Sequence, residues 1–508
     1  MQSDHNLNQL QLAIVLWGVF WYDSSRRKDL QLELWNTYGR TRTPLLPIEN
    51  NTVRLYACGP TVYNYAHIGN LRTYIFVDVL RRTIEFFGFG VKHVMNVTDV
   101  GHLSDDADDG EDKVVLESKR SGKSVWEIAE FYTDAFMKDI KLLNIKTPSE
   151  VCKATSHIDD MIALIKRIED AGFTYSSGGN LYFDIGKFPE YGKIALLSLE
   201  DLQAGARIDV DEHKHNPHDF VLWFTNSKFE RQAMIWDSPW GRGYPGWHIE
   251  CSAMAMKYLG EEFDIHCGGI DHIPVHHTNE IAQSQAATGI QPARIWMHAE
   301  FLLLEQERMS KSSGKFLTLA VLMEKGYSPL DYRYFCLQAH YRIQLKFSFD
   351  ALDAAKAGRR NLVQRIADIR DLCKDKPARK LGMKAAMYEA DFRKHCADDL
   401  NMPRALALLW DMVKDADFGG NGETAAGDTI ASEKLALVIM MDSVLGLSLS
   451  ESVREDVDVD AGIQELVDER QAARKNRDFK RADEIRALLD ARGIVLEDTP
   501  QGVRYRKK

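Results

Sequence analysis

Four side chains that lie far apart in the sequence are of the types that bind zinc. Cys58 follows a short apolar run, and Cys251 ends the segment Trp247-His-Ile-Glu-Cys251. His276 and Glu280 are four residues apart, a spacing that puts both on one face of a helix. Two thiolates, an imidazole and a carboxylate form a donor set that zinc takes in proteins. Spacing alone leaves five other donors open as ligands, namely His248, His266, Cys267, His272 and His277.

A second group of residues suits the binding of phosphate. Gly59-Pro-Thr61 bends the chain after the apolar run, and His67-Ile-Gly-Asn70 stands where the next helix is predicted to begin. Free amides and the helix dipole attract anions at such a position, and Gly69 lets a nucleotide approach the backbone. His67 and Asn70 are three residues apart, so both can face one ligand. A metal beside a nucleotide favours a soft substrate, for which cysteine is the obvious candidate.

The segment Arg308-Met-Ser-Lys-Ser-Ser-Gly314 is polar and carries two cations. Positive charge on a loop that Ser and Gly keep flexible suits a pyrophosphate group on which charge develops. Removing one preorganised donor of this kind typically costs roughly 3–4 kcal/mol of transition-state stabilisation. The same composition also fits an ordinary solvated loop, so the segment alone does not decide between these interpretations.

The elements that must position these residues follow a strand–helix–strand pattern. Val53 to Ala57 is rich in strand-forming residues, Leu71 to Phe87 repeats apolar residues at helical spacing, and Val91 to Val97 indicates a second strand. Such a βαβ unit predicts an α/β fold with a parallel, doubly wound sheet of Rossmann type. Residues 121–235 alternate helix and strand signals and are interpreted as an insertion. From residue 346 onwards the pattern is helical, and a short hairpin is predicted near the end.

Bulk properties narrow the class of protein. A length of 508 residues predicts two to four domains, and a net charge of −11 argues against nucleic-acid binding by the whole surface. The seven cysteines are scattered, which is typical of a reducing compartment and not of a disulfide framework.

The apolar stretch from Leu12 to Tyr22 is too short to span a bilayer. Residues 1–28 are therefore interpreted as a dispensable extension, with an interfacial anchor as the alternative. The acidic loop 105–112 lacks calcium-loop spacing and is interpreted as solvated.

Taken together, the motifs resemble those of cysteinyl-tRNA synthetases, which are class I enzymes. The matching segments occur in order from about residue 30 to the end: Cys58 to Asn70, Gly246 to His266, His276 to Gln283, Arg308 to Gly314 and Glu497 to Arg504. The resemblance implies a catalytic domain over residues 29–345, an anticodon-binding helical bundle over 346–455 and a small tRNA-binding module over 456–508. Cations between Arg474 and Arg481 suit phosphate contacts in that module.

The resemblance also implies roles for individual residues. The family's zinc ligands fall on Cys58, Cys251, His276 and Glu280. The catalytic residues of its two signatures fall on His67, Asn70 and Lys311. The residues expected at ATP are Gly69, Asp271, Arg308, Ser310 and Lys311. Trp247 and His266 resemble residues of the cysteine pocket.

The implied activity is that of a cytoplasmic, monomeric cysteine–tRNA ligase without stable membrane association. It would activate L-cysteine with ATP and Mg²⁺ to cysteinyl-adenylate and transfer the cysteinyl group to tRNA(Cys), with zinc selecting the thiol. One alternative is a cysteine:aminosugar ligase of the mycothiol type, and another is a catalytically silent, zinc-dependent RNA-binding paralogue. Three departures from the family pattern bear on rate and packing: Asn70 stands for a His, Arg308 for a Lys, and Cys267 for a usual Gly.

Overall fold

The computed structural model describes residues 30–49, 51–100, 124–196, 213–226, 234–304, 317–378, 380–416, 418, 427–450, 466–467, 469–471, 473–474, 478–491, 494–499 and 502–507. The proposed extension 1–28 and the acidic loop 105–112 lie outside these ranges. The chain divides into two compact units, Met1–Ser450 and Glu451–Lys508.

The strands are short and are numbered here in chain order. They are β1 (Glu33–Asn36), β2 (Thr41–Pro44), β3 (Thr52–Ala57), β4 (Gly90–Val97), β5 (Glu150–Lys153), β6 (Thr174–Ser177), β7 (Asn180–Phe183), β8 (Phe220–Phe224), β9 (Tyr244–Pro245), β10 (Phe263–Gly269), β11 (Ala293–Ala299), β12 (Leu302–Leu304), β13 (Leu345–Phe347), β14 (Ile494–Thr499) and β15 (Gly502–Lys507).

The α-helices fall between the strands in the first half of the chain and follow one another in the second. They are α1 (Ile68–Phe86), α2 (Val125–Leu142), α3 (Ile158–Asp170), α4 (Trp247–Leu259), α5 (Thr278–Thr288), α6 (Leu319–Glu324), α7 (Pro329–Leu337), α8 (Phe349–Cys373), α9 (Met383–Ala397), α10 (Met402–Lys414), α11 (Gly427–Leu445) and α12 (Phe479–Ala491). Short 3₁₀ turns span Ala154–His157, Ile185–Lys187, Lys193–Ala195 and Ile270–His272, and Ile273–His277 is a π-helical turn. No helix within the described ranges has the length and apolar character that a membrane crossing requires.

A five-stranded parallel sheet lies at the centre of the larger unit. Its strand order is β11-β10-β3-β4-β5, and every neighbouring pair is parallel. The chain therefore winds outward in one direction from β3 and in the other from β10. Ligands bind to such open sheets in the crevice at the carboxyl ends of the strands where the winding reverses. Cys58 follows β3, and Gly268 and Gly269 end β10, so both segments lie at this reversal. The predicted α/β fold with a parallel sheet is confirmed.

Side chains of the central strands alternate between two cores, as the pleat of a strand requires. Leu55 and Ala57 pack on the side of α1 and the carboxyl-terminal helices, whereas Tyr56 and Cys58 pack on the side of α3, α4 and α5. In the pairing of β10 with β3, Cys267 is opposite Ala57 and packs in the same core as Ala57. Cys267 is thus on the opposite face of the sheet from Cys58.

A second, antiparallel sheet interrupts the parallel one. Its order is β6-β7-β8-β9, and it ends at Pro245, beyond residue 235 where the insertion was predicted to end. Residues from this sheet, including Leu181 and Leu222, share the core that contains Cys58 and Cys251. The antiparallel sheet therefore packs on the same side of the parallel sheet as Cys58. The range 121–235 predicted as an insertion also contains β5, which belongs to the parallel sheet, and α2, whose Phe136 and Ile140 pack in the other core.

The carboxyl-terminal helices of the larger unit share a core with the parallel sheet. Arg333 on α7 is fully buried and joins three segments: it donates to the carbonyl oxygens of Leu445 at 2.8 Å and Leu143 at 3.0 Å, and to Asp78 Oδ2 at 2.5 Å. Burial raises the pKa of the Asp78 carboxyl, but Arg333 and Arg82 beside it outweigh burial and lower it. Arg333 thus joins α7 to α1, which packs on the parallel sheet, and to the end of α11.

The smaller unit contains α12 and an antiparallel hairpin of β14 and β15. The pairing runs from Ile494 opposite Lys507 to Thr499 opposite Gly502. The hairpin predicted from the sequence is confirmed.

Candidate active site and metal centre

The turn after β3 fixes Cys58 between two neighbouring strands. The Cys58 amide donates to the carbonyl oxygen of Cys267 at 3.1 Å, and the Gly59 amide donates to Asn96 Oδ1 at 2.8 Å. A Cβ atom on Gly59 would lie 1.6 Å from the carbonyl oxygen of Asn96. Only glycine lets the chain pass β4 this closely, and the thiol of Cys58 is thereby held at the carboxyl edge of the sheet.

Helix α1 begins with a reciprocal cap formed by two predicted catalytic residues. His67 Nδ1 accepts from the Asn70 amide at 3.2 Å, and Asn70 Oδ1 accepts from the His67 amide at 3.3 Å. Such a capping box satisfies amides that have no partner within the helix. Asn70 therefore fills a structural role that its amide side chain suits. A Cβ atom on Gly69 would lie 2.9 Å from the His67 ring, so glycine leaves room for this cap.

The four predicted zinc ligands come together although three different segments supply them. Cys251 lies on α4, His276 in the π-helical turn, and Glu280 one helical turn later on α5. Cys58 Sγ is 4.0 Å from Cys251 Sγ and 3.8 Å from Glu280 Oε1, and His276 Nε2 is 3.1 Å from the same Oε1. All four side chains are buried, and one donor atom from each lies within 4.8 Å of the others. Two sulfur, one nitrogen and one oxygen donor at this spacing fit a tetrahedral zinc ion.

A second donor group overlaps the first. Cys58 and Glu280 belong to it as well, together with His266 and His277. Cys58 Sγ is 3.4 Å from His277 Nε2, and His266 Nε2 is 2.8 Å from Glu280 Oε2. Since two of the ligands are shared, a single ion that takes all four donors of one group leaves the other group with two donors. Neither group includes His248, Cys267 or His272, the other three donors that the sequence left open.

The two donor groups differ in whether their residues line a cavity that a ligand could enter. It has a volume of about 330 Å³ and lies between the turn after β3, the start of α1, the start of α4 and the turn after β10. Cys58, Cys251 and His276 line it, together with Trp247, His67 and Asp271. His266 and His277 are not among its lining residues. A metal bound to the first group would therefore be next to the cavity, and the second group lies one layer behind.

The charges in the cluster suit a cation. Burial raises the pKa of the Cys58 thiol, and Cys251 and Glu280 add to that effect. A hydrogen bond with Cys58 and the proximity of His276 lower the pKa of Cys251 to about 7 against the effect of burial. Burial also opposes ionisation of Glu280 and His276. At Glu280 the nearby His266 and His276 outweigh burial and lower its pKa, and at His276 the nearby Glu280 and Cys251 outweigh burial and raise its pKa. In its metal-free form the cluster thus holds protons that a metal must displace.

Further histidines hold the candidate ligands in orientation. His276 Nδ1 is 2.9 Å from His248 Nδ1, which leaves Nε2 turned toward Glu280. His277 Nδ1 is 2.8 Å from His298 Nε2, and His298 Nδ1 is 2.8 Å from Thr37 Oγ1. Partners of this kind orient metal ligands. These supporting roles are not evident from the sequence, because the contact of His298 with Thr37 spans 261 residues of chain, which no local pattern indicates.

The two predicted cysteine-pocket residues take different positions. Trp247 lines the cavity, with its ring 4.8 Å from the ring of His276. His266 is only 1 % exposed, stacks on Trp296 at 4.4 Å and contacts Glu280. Trp247 is thus positioned against a ligand in the cavity, whereas His266 is positioned to hold Glu280.

The residues expected at ATP are only partly described. His67, Asn70 and Asp271 line the same cavity as the metal candidates, and Asp271 raises the pKa of His67 against the larger, lowering effect of burial. Arg308, Ser310 and Lys311 lie outside the described residues. The described chain resumes at Leu317, whose carbonyl oxygen accepts from the Ile68 amide at 2.9 Å.

Comparison with known proteins gives two family matches. A model described as "tRNA synthetases class I (C) catalytic domain" matches residues 44–357, and one described as "Cysteinyl-tRNA ligase anticodon binding domain" matches residues 456–506. The model described as anticodon-binding thus matches the small terminal module. From the sequence, anticodon binding is expected in the helical bundle over residues 346–455.

Similar curated proteins carry the name cysteine–tRNA ligase. The Treponema denticola protein is 50% identical over 502 residues, covering 94% of this chain and 100% of the relative. The Treponema pallidum (strain Nichols) protein is 44% identical and the Borreliella burgdorferi protein 43% identical, each over 94% of this chain and at least 99% of the relative. Among solved structures, Mycobacterium tuberculosis methionyl-tRNA synthetase in complex with methionyl-adenylate matches with a TM-score of 0.58 at 17% identity, over 79% of this chain and 93% of that chain. At this identity the structural match indicates a shared fold.

Proposed function

Since the chain belongs to the cysteine–tRNA ligase family of class I synthetases and is an ATP-dependent ligase, we propose that it activates L-cysteine to cysteinyl-adenylate and passes the cysteinyl group to tRNA(Cys), with a zinc ion selecting the thiol. The main support is that the four predicted donors converge within 4.8 Å of one another, and that Cys58, Cys251 and His276 line a cavity that also reaches His67 and Asp271.

Selection of cysteine over serine is the task that needs a metal. The two amino acids are nearly isosteric, and shape in an apolar pocket discriminates only about a hundredfold between such substrates. When bound, zinc supplies a soft Lewis acid that prefers a thiolate to a neutral hydroxyl and lowers the pKa of a thiol from about 8.5. With this preference no separate editing domain is required.

The side chains around the donors have the task of keeping the ligand set intact. His266 holds one oxygen of Glu280 and leaves Oε1 turned toward Cys58 and His276. His248 occupies Nδ1 of His276, so that Nε2 is the ligand atom. Trp247 packs its ring over His276 at the wall of the cavity. These contacts support the first donor group as the zinc site and the proposal that cysteine binds beside Trp247.

The other half of the cavity is proposed to bind ATP, which enters with Mg²⁺. Proposed contacts come from Gly69, Asp271, Arg308, Ser310 and Lys311, and His67, Asn70 and Lys311 are proposed as catalytic residues. An oxygen of the cysteine carboxylate attacks the α-phosphorus, the bond to the β-phosphate oxygen breaks, and pyrophosphate leaves. A ribose hydroxyl at the tRNA 3′ end then attacks the acyl carbon and releases AMP. Such chemistry depends mainly on positioning and on neutralised charge, to which the dipole of α1 contributes at its start.

The location, the partner and the assembly state of the protein are proposed as well. All seven cysteines are unpaired and buried, which supports a reducing, cytoplasmic location. The match of the anticodon-binding model over residues 456–506 supports tRNA(Cys) as the partner of the terminal module. We propose a monomer without stable membrane association.

The two alternatives differ from this proposal in their acceptor or their chemistry. An aminosugar ligase of the mycothiol type would not need the terminal module that residues 456–506 match. A catalytically silent RNA-binding paralogue was suggested by Asn70 and Arg308. Asn70 has a capping role at the start of α1, so its presence is explained without a loss of function.

We expect the purified protein to catalyse cysteine-dependent ATP–pyrophosphate exchange and to charge tRNA(Cys). Serine should support exchange at least about a hundredfold more slowly, and chelation of zinc should abolish the reaction with cysteine until zinc is restored. Exchange accompanied by transfer to an aminosugar and not to tRNA would identify the first alternative. A zinc-loaded protein that binds tRNA but catalyses no exchange would identify the second.

A further inference from the structure

His272 lines the cavity together with Asp271 and His276, and no task has been assigned to it so far. It directly follows Asp271 in the 3₁₀ turn after β10. Its ring centroid lies 5.1 Å from that of His276 and 5.1 Å from that of His277. The ring lines the cavity but belongs to neither donor group. It therefore adjoins the proposed metal on one side and the proposed ribose contact on the other.

The two ring nitrogens of His272 have different surroundings. Nδ1 is buried and has no hydrogen-bond partner, and it faces Gly268, where an added Cβ atom would lie 2.5 Å from it. His272 lines the cavity, and since Nδ1 is turned toward Gly268, Nε2 is the nitrogen left to meet a ligand there. A buried N–H without an acceptor loses a full hydrogen bond to water. The neutral ring carries one N–H, which is best placed on Nε2, where it is a donor that faces the cavity.

The position of this donor indicates its acceptor. If the proposed function holds, the substrate thiol lies at Cys58, Cys251 and His276, and the ribose lies at Asp271. The bond between the cysteine carboxyl group and the α-phosphate then spans the distance between them, which His272 adjoins. We propose that His272 donates a hydrogen bond from Nε2 to an oxygen at this carboxyl–phosphate junction, as a further catalytic residue of the activation step.

This hydrogen bond predicts that a His272→Leu variant, which keeps the bulk of the side chain but removes the donor, is impaired in the activation step alone. We expect kcat of cysteine-dependent pyrophosphate exchange to fall about a hundredfold, as for other preorganised donors to a developing charge. Zinc content, KM for ATP and affinity for free cysteine should stay unchanged. Affinity for a cysteinyl-sulfamoyl adenosine analogue should weaken, because only this compound presents the junction. A His272→Gln variant, whose amide can donate, should recover part of the loss.

The half-buried His395 on α9 gives a matched control, since His395→Leu makes the same chemical change away from the cavity. Its exchange rate and analogue affinity should equal those of the wild type. Wild-type analogue affinity in His272→Leu, or a loss that follows zinc content in both position-272 variants, would overturn the proposal. Failure of the proposed function would instead appear in the unaltered protein, as absence of cysteine-dependent exchange.

Discussion

Cys251→Ser is expected to lose its zinc and to lower kcat/KM for cysteine in pyrophosphate exchange by at least about a hundredfold. The thiol is buried, 4.0 Å from Cys58 Sγ, and its pKa of about 7 makes it the thiol of the pair that ionises first. A serine hydroxyl does not ionise near neutral pH and is a hard donor that a zinc site of this kind disfavours. ATP binding should be retained, since the proposed ATP contacts lie in the other half of the cavity. Zinc analysis, exchange kinetics and ATP titration measure the three quantities.

A Cys152→Ser variant is the matched control for this experiment. Cys152 is as buried as Cys251, packs in the same core and contacts the Met95 carbonyl oxygen at 3.5 Å. It belongs to neither donor group. It should therefore keep its zinc and its activity. Full zinc content together with unchanged cysteine activation in Cys251→Ser would show that the metal is held in another way.

Arg333→Met is expected to lower the free energy of unfolding of the larger unit by roughly 3–5 kcal/mol, the usual loss when one partner of a buried ion pair is removed. Arg333 and Asp78 both have side chains that are 0% exposed, and the change leaves the Asp78 carboxylate with only Arg82 and the Lys146 amide as partners. The carbonyl oxygens of Leu143 and Leu445 lose a donor as well. Denaturant unfolding followed by circular dichroism at neutral pH measures the effect.

The pH of that measurement matters because the pKa of Asp78 is lowered in the folded protein. A carboxyl group of this kind stabilises the fold above its unfolded pKa of about 3.9, and the stabilisation is lost as pH falls through the folded value. The exposed pair Arg294–Glu262 gives the control, and Arg294→Met should cost less than about 1 kcal/mol. An equally small loss in Arg333→Met would contradict the structural role of the pair.

The sheet and the start of the active site could be predicted from local patterns. Apolar runs and a helical repeat over residues 71–87 indicate β3, α1 and β4 to within a few residues, because the strands are buried on both faces and the helix over most of its surface. The i,i+4 spacing of His276 and Glu280 likewise indicates a shared helix face. By contrast, the approach of Cys58 to Cys251 joins residues 193 positions apart. Only the resemblance to a family pointed to that pairing in advance.

Other features of the site depend on long-range packing that no spacing encodes. The contact of His248 with His276 and the chain from His277 through His298 to Thr37 arise where separate elements meet. The face of the parallel sheet on which Cys267 lies, by contrast, follows from a local pattern. It follows His266 on β10, and strand alternation alone puts neighbours on opposite faces, so its separation from the metal cluster was open to prediction. Arg308, Ser310, Lys311 and the extension 1–28 lie outside the described residues and stay predictions.

Zinc K-edge X-ray absorption on the purified, active protein without cysteine tests most directly whether Cys58, Cys251, His276 and Glu280 together bind one ion. We predict about one zinc per chain, with two sulfur neighbours at about 2.3 Å and two nitrogen or oxygen neighbours at about 2.0–2.2 Å. A single sulfur neighbour would assign the ion to the overlapping group with His266 and His277. Active protein without zinc would contradict the account of how cysteine is selected.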